Sequence, residues 1–413
     1  MKSGYGRAVP PEDAALTHVG PGTPMGEMMR RYWQPLLLAA DLDDGLPKKV
    51  RILGEDLVAF RDGAGRIGVL DAHCAHRGTS LEYGRVEQGG IRCCYHGWLY
   101  RADGKCVEMP CEQPGYAERL EVWQPAYPVQ DYGGIVFVYM GPPEKQPLFP
   151  MYDIIDVRGR DDVVLRATRL WGEHAIAYVS ECNWLQHFEN VVDPYHVAML
   201  HRAISGDQFA SAVTHEGMPD IGFEKTPLGV RYRMFRNLPN GNRLERYVEC
   251  VLPNIALIAS IHEQGQTPKT KDRCTDVTWV VPIDDTHCRA LTLIAWPAKG
   301  GVPDPGWIPG TFTGIEARPG RMRARPYDER QRQPDDMEAQ ESQRPIAVHA
   351  LENLALSDRG VALLRRAYRE SLGAIAAGGD PQNIVRDPAA NRAIETHSWN
   401  SVVPPGRVGQ AAE

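Results

Sequence analysis

Long apolar runs are missing from this 413-residue chain. No stretch approaches the roughly 20 residues that a bilayer-spanning helix needs. The longest candidate, Cys250 to Ile261, contains Pro253 and Asn254 and reads as a buried strand. Positive charge is not in excess: 46 Lys and Arg stand against 53 Asp and Glu, a net of −7. That removes the general electrostatic case for nucleic acid, where cations must neutralise phosphates. The opening residues hold no apolar segment of the secretory type, so a cytoplasmic location is expected. There is no internal repeat. With 43% hydrophobic and 24% charged residues, disorder and fibrous architectures are excluded. A dinucleotide site is missing too. Gly63-Ala64-Gly65-Arg66-Ile67-Gly68 has the glycines of such a loop, but that loop needs a strand before it and a helix after it. Here a strand pattern follows, and Asp62-Gly63 reads as a hairpin turn.

What is present suggests two or three domains at about 150 residues each. Residues 1–25 are rich in Gly and Pro and are expected to drape over a core. From residue 48 the pattern is β, with short apolar runs broken by Gly and Asp. Gly133 to Met140 fits a core strand, and the Pro-rich GPPEKQPLFP after it cannot continue one. The boundary is placed there, giving domains 1–150 and 151–413. The second domain mixes α and β. Val230 to Arg236 alternates, and Asp276 to Pro282 turns at Asp284-Asp285 and returns as RALTLIAWP, so long antiparallel strands are expected. Ser357 could cap a helix whose apolar face is Val361, Leu364, Tyr368, Leu372 and Ile375. The charge-dense stretch 316–344 reads as a solvated loop leading into a helix.

Nine cysteines, an odd number, are to be read as metal ligands before disulfides when a leader is lacking. Cys74-Ala75-His76 is followed, after residues 77 to 92, by Cys93-Cys94-Tyr95-His96. Each half brings one thiolate and one imidazole. A zinc finger usually pairs two Cys from one loop with two His from another. Two loops that each bring a Cys and a His suit a two-iron Rieske cluster, both Cys on one iron and both His on the other. Cys94 lies between ligand positions and is not assigned as one, and nothing requires Cys106 or Cys111.

A second constellation lies in ECNWLQHFENVVDPYHVAMLHR, residues 181–202. Asn183, Asn190 and Asp193 are spaced to share a helical face. Pro194 predicts a break at Asp193 and a new helix from Pro194. His196 and His201 are five apart, about 140° around an ideal helix. They chelate one ion only if the helix is distorted or His201 lies past its regular end. Two His and a carboxylate form the facial triad of non-haem Fe(II) oxygenases.

CAHRGTSL…RCCYHGW, NWLQHFENVVDPYHVAMLH and DMEAQESQRPIAVHALENLALSDRG together resemble the α (terminal oxygenase) subunit of Rieske non-haem iron aromatic ring-hydroxylating oxygenases, in the group that includes phthalate dioxygenase. The resemblance runs from about residue 25 to 380. Cys94 departs from it, where the family commonly has Pro. It implies a [2Fe-2S] cluster on Cys74, His76, Cys93 and His96, and Fe(II) on His196, His201 and Asp336, with adjacent Asp335 the alternative carboxylate. It makes Asp193 the catalytic link between a cluster His and an iron His across a subunit interface; Asn190 on the same helical face is a second catalytic candidate. The implied fold class is α+β: an antiparallel β Rieske domain, then a catalytic domain with a large antiparallel sheet of helix-grip type. The implied partners are an aromatic substrate and O₂, a separate NAD(P)H reductase or ferredoxin, and further copies of the chain in a homotrimer.

The expected activity is hydroxylation of an aromatic, carboxylated substrate. O- or N-demethylation on the same scaffold is the alternative, and a non-catalytic electron carrier a remoter one. Arg231, Arg233, Arg236, Arg243 and Arg246 are candidate carboxylate partners, since Arg forks bind carboxylates bidentately.

Overall fold

Alternation builds the second half of the chain. Along Gly229–Asn237 the side chains of Val230, Tyr232, Met234 and Arg236 are buried, while Arg233 and Asn237 are exposed. Arg243–Val251 answers with Leu244, Val248 and Cys250 on the same covered face. The computed structural model describes residues 5–169, 179–214, 217–307 and 325–405. Among these, one large sheet runs in the order Val163–Arg169, His287–Lys299, Asp276–Asp284, Ile255–Leu257, Arg243–Val251, Gly229–Asn237 and Asp220–Lys225. Neighbours on this path pair antiparallel. Trp399–Val403 adds to it against Arg243–Val251. The long hairpin expected at Asp284-Asp285 is present, and its two strands pair from Asp276↔Ile294 to Asp284↔His287.

The helix Arg359–Ala376 lies against this sheet with Leu364, Ala367 and Tyr368 buried. Tyr368 meets Trp184 edge-on at 5.6 Å and donates its hydroxyl to the Pro253 carbonyl at 2.6 Å. Side chains of this size each contribute about 1.5–3 kcal/mol when fully buried. The helix therefore clamps Trp184–Val191, which carries Trp184 and Phe188, onto the sheet.

The first half is built from small antiparallel sheets. Lys48–Ile52, Glu55–Arg61 and Ile67–Asp71 form one, and Arg85–Glu87, Gly90–Arg92, Leu99–Tyr100 and Cys106–Glu108 another. The discarded Gly63–Gly68 segment is a hairpin turn. Asp62 accepts the Ala64 and Arg66 amides at 2.9 Å, and the strand Ile67–Asp71 follows. Val58, Phe60, Leu70, Ile91, Trp98 and Tyr100 make a separate small core around Cys74 and Cys93.

Four local expectations are corrected. Cys250 to Ile261 is not one strand: Arg243–Val251 ends, the chain turns, and Ile255–Leu257 pairs back on it, because Pro253 has no N–H to give a ladder. Residues 1–25 do not simply drape, since Leu16, Val19 and Met25 are fully buried in the main core. Asp358, not Ser357, precedes the long helix, and Ser357 sits in the 3-10 turn Leu356–Asp358. Asn183 does not share a helical face with Asn190 and Asp193. It caps the helix by accepting the Leu185 amide at 3.1 Å, and Asp193 lies past the helix end. Of the charge-dense stretch, residues 316–324 lie outside the described residues; the rest forms short helices Tyr327–Arg332 and Asp336–Glu341.

Gly360 sets how closely the long helix approaches. A Cβ there would come within 2.6 Å of the Phe223 ring and 2.7 Å of the Val192 carbonyl, just before Asp193. Gly360→Val should cost about 1–3 kcal/mol by overpacking, read as a lowered midpoint in denaturant unfolding; an unchanged midpoint would mean that the two helices separate freely.

Candidate active site

Two loops with the same backbone pattern carry the first constellation. The Cys74 amide donates to Thr79 O at 2.9 Å and the Gly78 amide to Cys74 O at 2.8 Å. The Cys93 amide donates to Trp98 O at 2.9 Å and the Gly97 amide to Cys93 O at 3.1 Å. Gly78 and Gly97 take φ of 74° and 72°, the left-handed turn that brings each loop back on itself. Gln124 pins the first loop: its carbonyl accepts the Ala75 amide at 2.7 Å, and its amide donates to Asp71 O and His73 O. Arg92 pins the second through Gly97 O at 2.6 Å.

The donors are sorted by depth. Cys74 and Cys93 are each 3% exposed, while His76 and His96 are half-buried at the loop tips. The two imidazoles sit edge to face at 4.6 Å, and His76 stacks on Trp98 at 4.4 Å. No ring nitrogen of either makes a hydrogen bond among the described residues, so both are available as ligands. Burial pushes the Cys74 thiol up, against the Tyr100 hydroxyl 3.1 Å from its sulfur. Two buried thiols beneath two outer imidazoles fit a two-iron cluster with one thiolate-bound and one imidazole-bound iron. Cys94 is exposed, and Cys106 and Cys111 turn their thiols to the carbonyls of Glu108 and His96.

The second constellation forms where a helix fails. Trp184–Val191 ends, Pro194 starts Tyr195–Ala198, and the chain widens into a π turn over Met199–Ile204. Its signature is the Ser205 amide on Leu200 O at 3.1 Å, five residues back. This distortion brings His196 and His201 together, with ring centroids 5.3 Å apart.

Asp336 completes the group. His196, His201 and Asp336 each present a ligand atom within 4.8 Å of the other two. The Asp336 Oδ1 lies 3.5 Å from His196 Nε2 and 3.2 Å from His201 Nε2. Asn190 donates to the same oxygen at 3.0 Å and lies 3.3 Å from His196 Nε2. Asp335 is engaged elsewhere: it caps Asp336–Glu341 by accepting the Asp336 amide at 2.8 Å. Burial alone would push the Asp336 carboxyl up, but His201, His196 and Asn190 outweigh it and hold it well below the usual carboxylate range. Burial would likewise lower His201, and the Asp336 carboxylate raises it instead.

Both imidazoles are aimed by their other nitrogen. His196 Nδ1 donates to the Asp193 carbonyl, and His201 Nδ1 donates to the Gln208 side-chain carbonyl. These oxygens only accept, so each Nδ1 carries a proton and each Nε2 faces the shared point, where it can serve as a ligand once deprotonated. The Asp193 carboxylate, 3.7 Å from the same His196 nitrogen and about a third exposed, accepts the Tyr195 amide at 2.9 Å. Opposition of burial and His196 leaves the Asp193 carboxyl lowered. Gln208 and Gln124 carry no motif, so the sequence alone does not single them out.

Comparison with known proteins places this geometry. Residues 32–132 match the family model of the Rieske [2Fe-2S] domain. The chain is 42% identical over 379 residues to phenoxybenzoate dioxygenase subunit alpha of Ectopseudomonas oleovorans, covering 90% of this chain and 87% of the relative. It is 39% identical over 401 residues to the tert-butanol monooxygenase / tert-amyl alcohol desaturase oxygenase subunit of Aquincola tertiaricarbonis, covering 93% and 80%. The solved structure of NdmA with caffeine, from Pseudomonas putida CBB5, shares the fold with a TM-score of 0.58 at 17% identity, over 86% of this chain and 94% of that one. The chain belongs to the α subunits of the Rieske non-haem iron aromatic ring-hydroxylating oxygenases, enzymes whose cofactors are a Rieske [2Fe-2S] cluster and a mononuclear iron.

Proposed function

We propose that this chain is the terminal oxygenase of a multicomponent system, taking electrons from a separate NAD(P)H-dependent reductase or ferredoxin and using O₂ to hydroxylate an aromatic substrate. The convergence of His196, His201 and Asp336 within 4.8 Å carries this reading. Phenoxybenzoate in the name of one relative supports an aromatic substrate. The monooxygenase named in the other keeps single-oxygen chemistry, including O- or N-demethylation, as the alternative. A cis-diol or catechol product would mark the first reading, a phenol with an aldehyde the second.

In this reading Cys74, His76, Cys93 and His96 hold the cluster, and His196, His201 and Asp336 hold the mononuclear iron. When bound, the cluster supplies single electrons and the mononuclear iron supplies O₂ activation. The chain's own residues prepare that chemistry. The Asp193 backbone carbonyl and the Gln208 side-chain carbonyl accept hydrogen bonds from the two Nδ1–H groups, so that neither imidazole can turn. Asn190 holds the Asp336 carboxylate in place. The covered sheet face keeps bulk water from the apolar side chains around Val197 and Tyr232. We assign residues 1–150 to the N-terminal arm and Rieske domain and 151–413 to the catalytic domain. We further propose a homotrimer in which Asp193 of one subunit meets His76 of the next. The half-buried His76 and the partly exposed Asp193 support that pairing. A cytoplasmic location is proposed from nine cysteines, none in a disulfide. No helix among the described residues is long and apolar enough to cross a membrane.

Metal analysis tests the assignment. The purified protein should be coloured and hold about three irons per chain, two in the cluster and one outside it. Asp336→Ala should lose the single iron and keep the cluster's visible spectrum. Two irons in the parent protein would instead describe an electron carrier.

Asp193→Ala should keep both metals while turnover falls about 100-fold. Full turnover in that variant, with iron content measured on the same sample, would remove the bridging role.

Gln208→Leu strips His201 Nδ1 of its acceptor and should weaken ferrous iron binding about 10–100-fold in a chelator competition. Gln208→Glu, which still accepts, should retain it. Equal affinity in both variants would show that His201 is oriented by packing alone.

A further inference from the structure

Trp98 ties the two cysteine–histidine loops together. It follows Gly97, whose left-handed φ of 72° turns the second loop back, and its carbonyl accepts the Cys93 amide at 2.9 Å. Its ring meets the first loop: it stacks on His76 with the planes 7° apart and the centroids at 4.4 Å. The residue is 6% exposed, in the small core that holds Cys74 and Cys93.

The indole Nε1 of Trp98 is buried and has no hydrogen-bond partner among the described residues. A buried Trp N–H ordinarily finds an acceptor, and leaving one unmade is costly. Trp33 follows that rule by donating to Pro147 O at 3.1 Å. The Trp184 indole also lacks an acceptor, but it packs against the Phe188 and Tyr368 rings, whose π faces accept weakly. Trp98 packs instead against an imidazole of the first constellation.

The carbonyls of the two loops are already committed. Cys74 O takes the Gly78 amide, Cys93 O the Gly97 amide and Thr79 O the Cys74 amide. Asp71 O and His73 O take the Gln124 side-chain amide, Gly97 O takes Arg92, and His96 O takes the Cys111 thiol. Apart from Tyr100, whose hydroxyl lies 3.1 Å from the Cys74 sulfur, the other buried side chains of this core are apolar or sulfur-bearing. A two-iron cluster on the four ligands would bring acceptors to this core, since its sulfides and thiolates carry negative charge.

We propose that Trp98 donates its indole N–H to a sulfur of the bound cluster and so raises the cluster's reduction potential. This rests on the assignment of Cys74, His76, Cys93 and His96 above. Reduction adds one electron, taken from the reductase, and with it one negative charge. A donor at sulfur stabilises that added charge, the more so in a low dielectric. The indole keeps its proton throughout.

Spectroelectrochemical titration of the iron-loaded full chain tests this with two variants. Trp98→Phe keeps a flat ring over His76 and removes the N–H, whereas Trp98→Leu removes both. Trp98→Phe should retain the cluster's visible spectrum and make reduction about tenfold less favourable, a fall of about 59 mV for one electron. Trp98→Leu should fall at least as far. An unchanged potential in Trp98→Phe, or a fall confined to Trp98→Leu, would mean that only the stacked ring matters and would overturn the proposal. Should neither variant assemble a cluster, the parent protein still decides. With tryptophan isotopically labelled at the indole nitrogen, pulsed EPR of the dithionite-reduced chain should show coupling of that nitrogen to the cluster spin, and its absence would overturn the proposal. A coloured protein without that coupling loses only the hydrogen bond; a colourless one loses the cluster assignment itself.

Discussion

The catalytic half depends on one carboxylate oxygen. Asp336 Oδ1 is approached by His201, His196 and Asn190 at 3.0–3.5 Å, and the chain reaches that point from segments 135 residues apart. The two imidazoles and Asn190 stabilise this buried negative charge against the cost of burial, and each ring is held in its orientation by the hydrogen bond that its other nitrogen makes. The π turn at Met199–Ile204 follows from the same demand, since five residues of regular helix would point the two rings apart. Asp335 acts on the backbone instead, starting the short helix that fixes where Asp336 stands.

The cluster half meets a different constraint with a repeated device. Both loops close on a left-handed glycine and an amide returned to the cysteine carbonyl. This puts the thiols inward and the imidazoles outward without any long element. The buried Cys74 and Cys93 sulfurs lie in the low dielectric of the small core, where hydrogen bonds to sulfur count for more. The imidazoles at the rim leave that side of the constellation partly exposed.

How legible these features were depended on how local they are. The two Cys and two His within residues 74–96 could be read as one group, because they lie close in sequence, and the structure brings the two imidazoles within 4.6 Å. His196 and His201 could be read together with the condition that the helix between them be distorted, and the π turn meets it. Asp336 came only through family resemblance, since nothing in the surrounding charges separates it from Asp335 or its neighbours. Gln208 and Gln124 were invisible: a single amide side chain acts here through position, and position is set by tertiary packing. Asn183 reads as part of a helical face but caps the helix, because a seven-residue spacing looks the same whether its first member is inside a helix or capping it. Cys250 to Ile261 reads as one strand but reverses, because apolar composition does not show where a chain turns back.

The arginines show the same limit in one strand pair. Alternation separates Arg231, Arg233 and Arg243 from Arg236 and Arg246, but it does not say which face is covered. That depends on where Arg359–Ala376 and the His196 segment come to rest, and both are placed by Trp184, Phe188 and Tyr368 in the main core. The hydrophobic clamp thus decides more than stability. It turns one of two equivalent strand faces into an enclosed surface, so that Arg246, whose charge would be ordinary on the outer face, is buried and held by Ser260 O and Asn400.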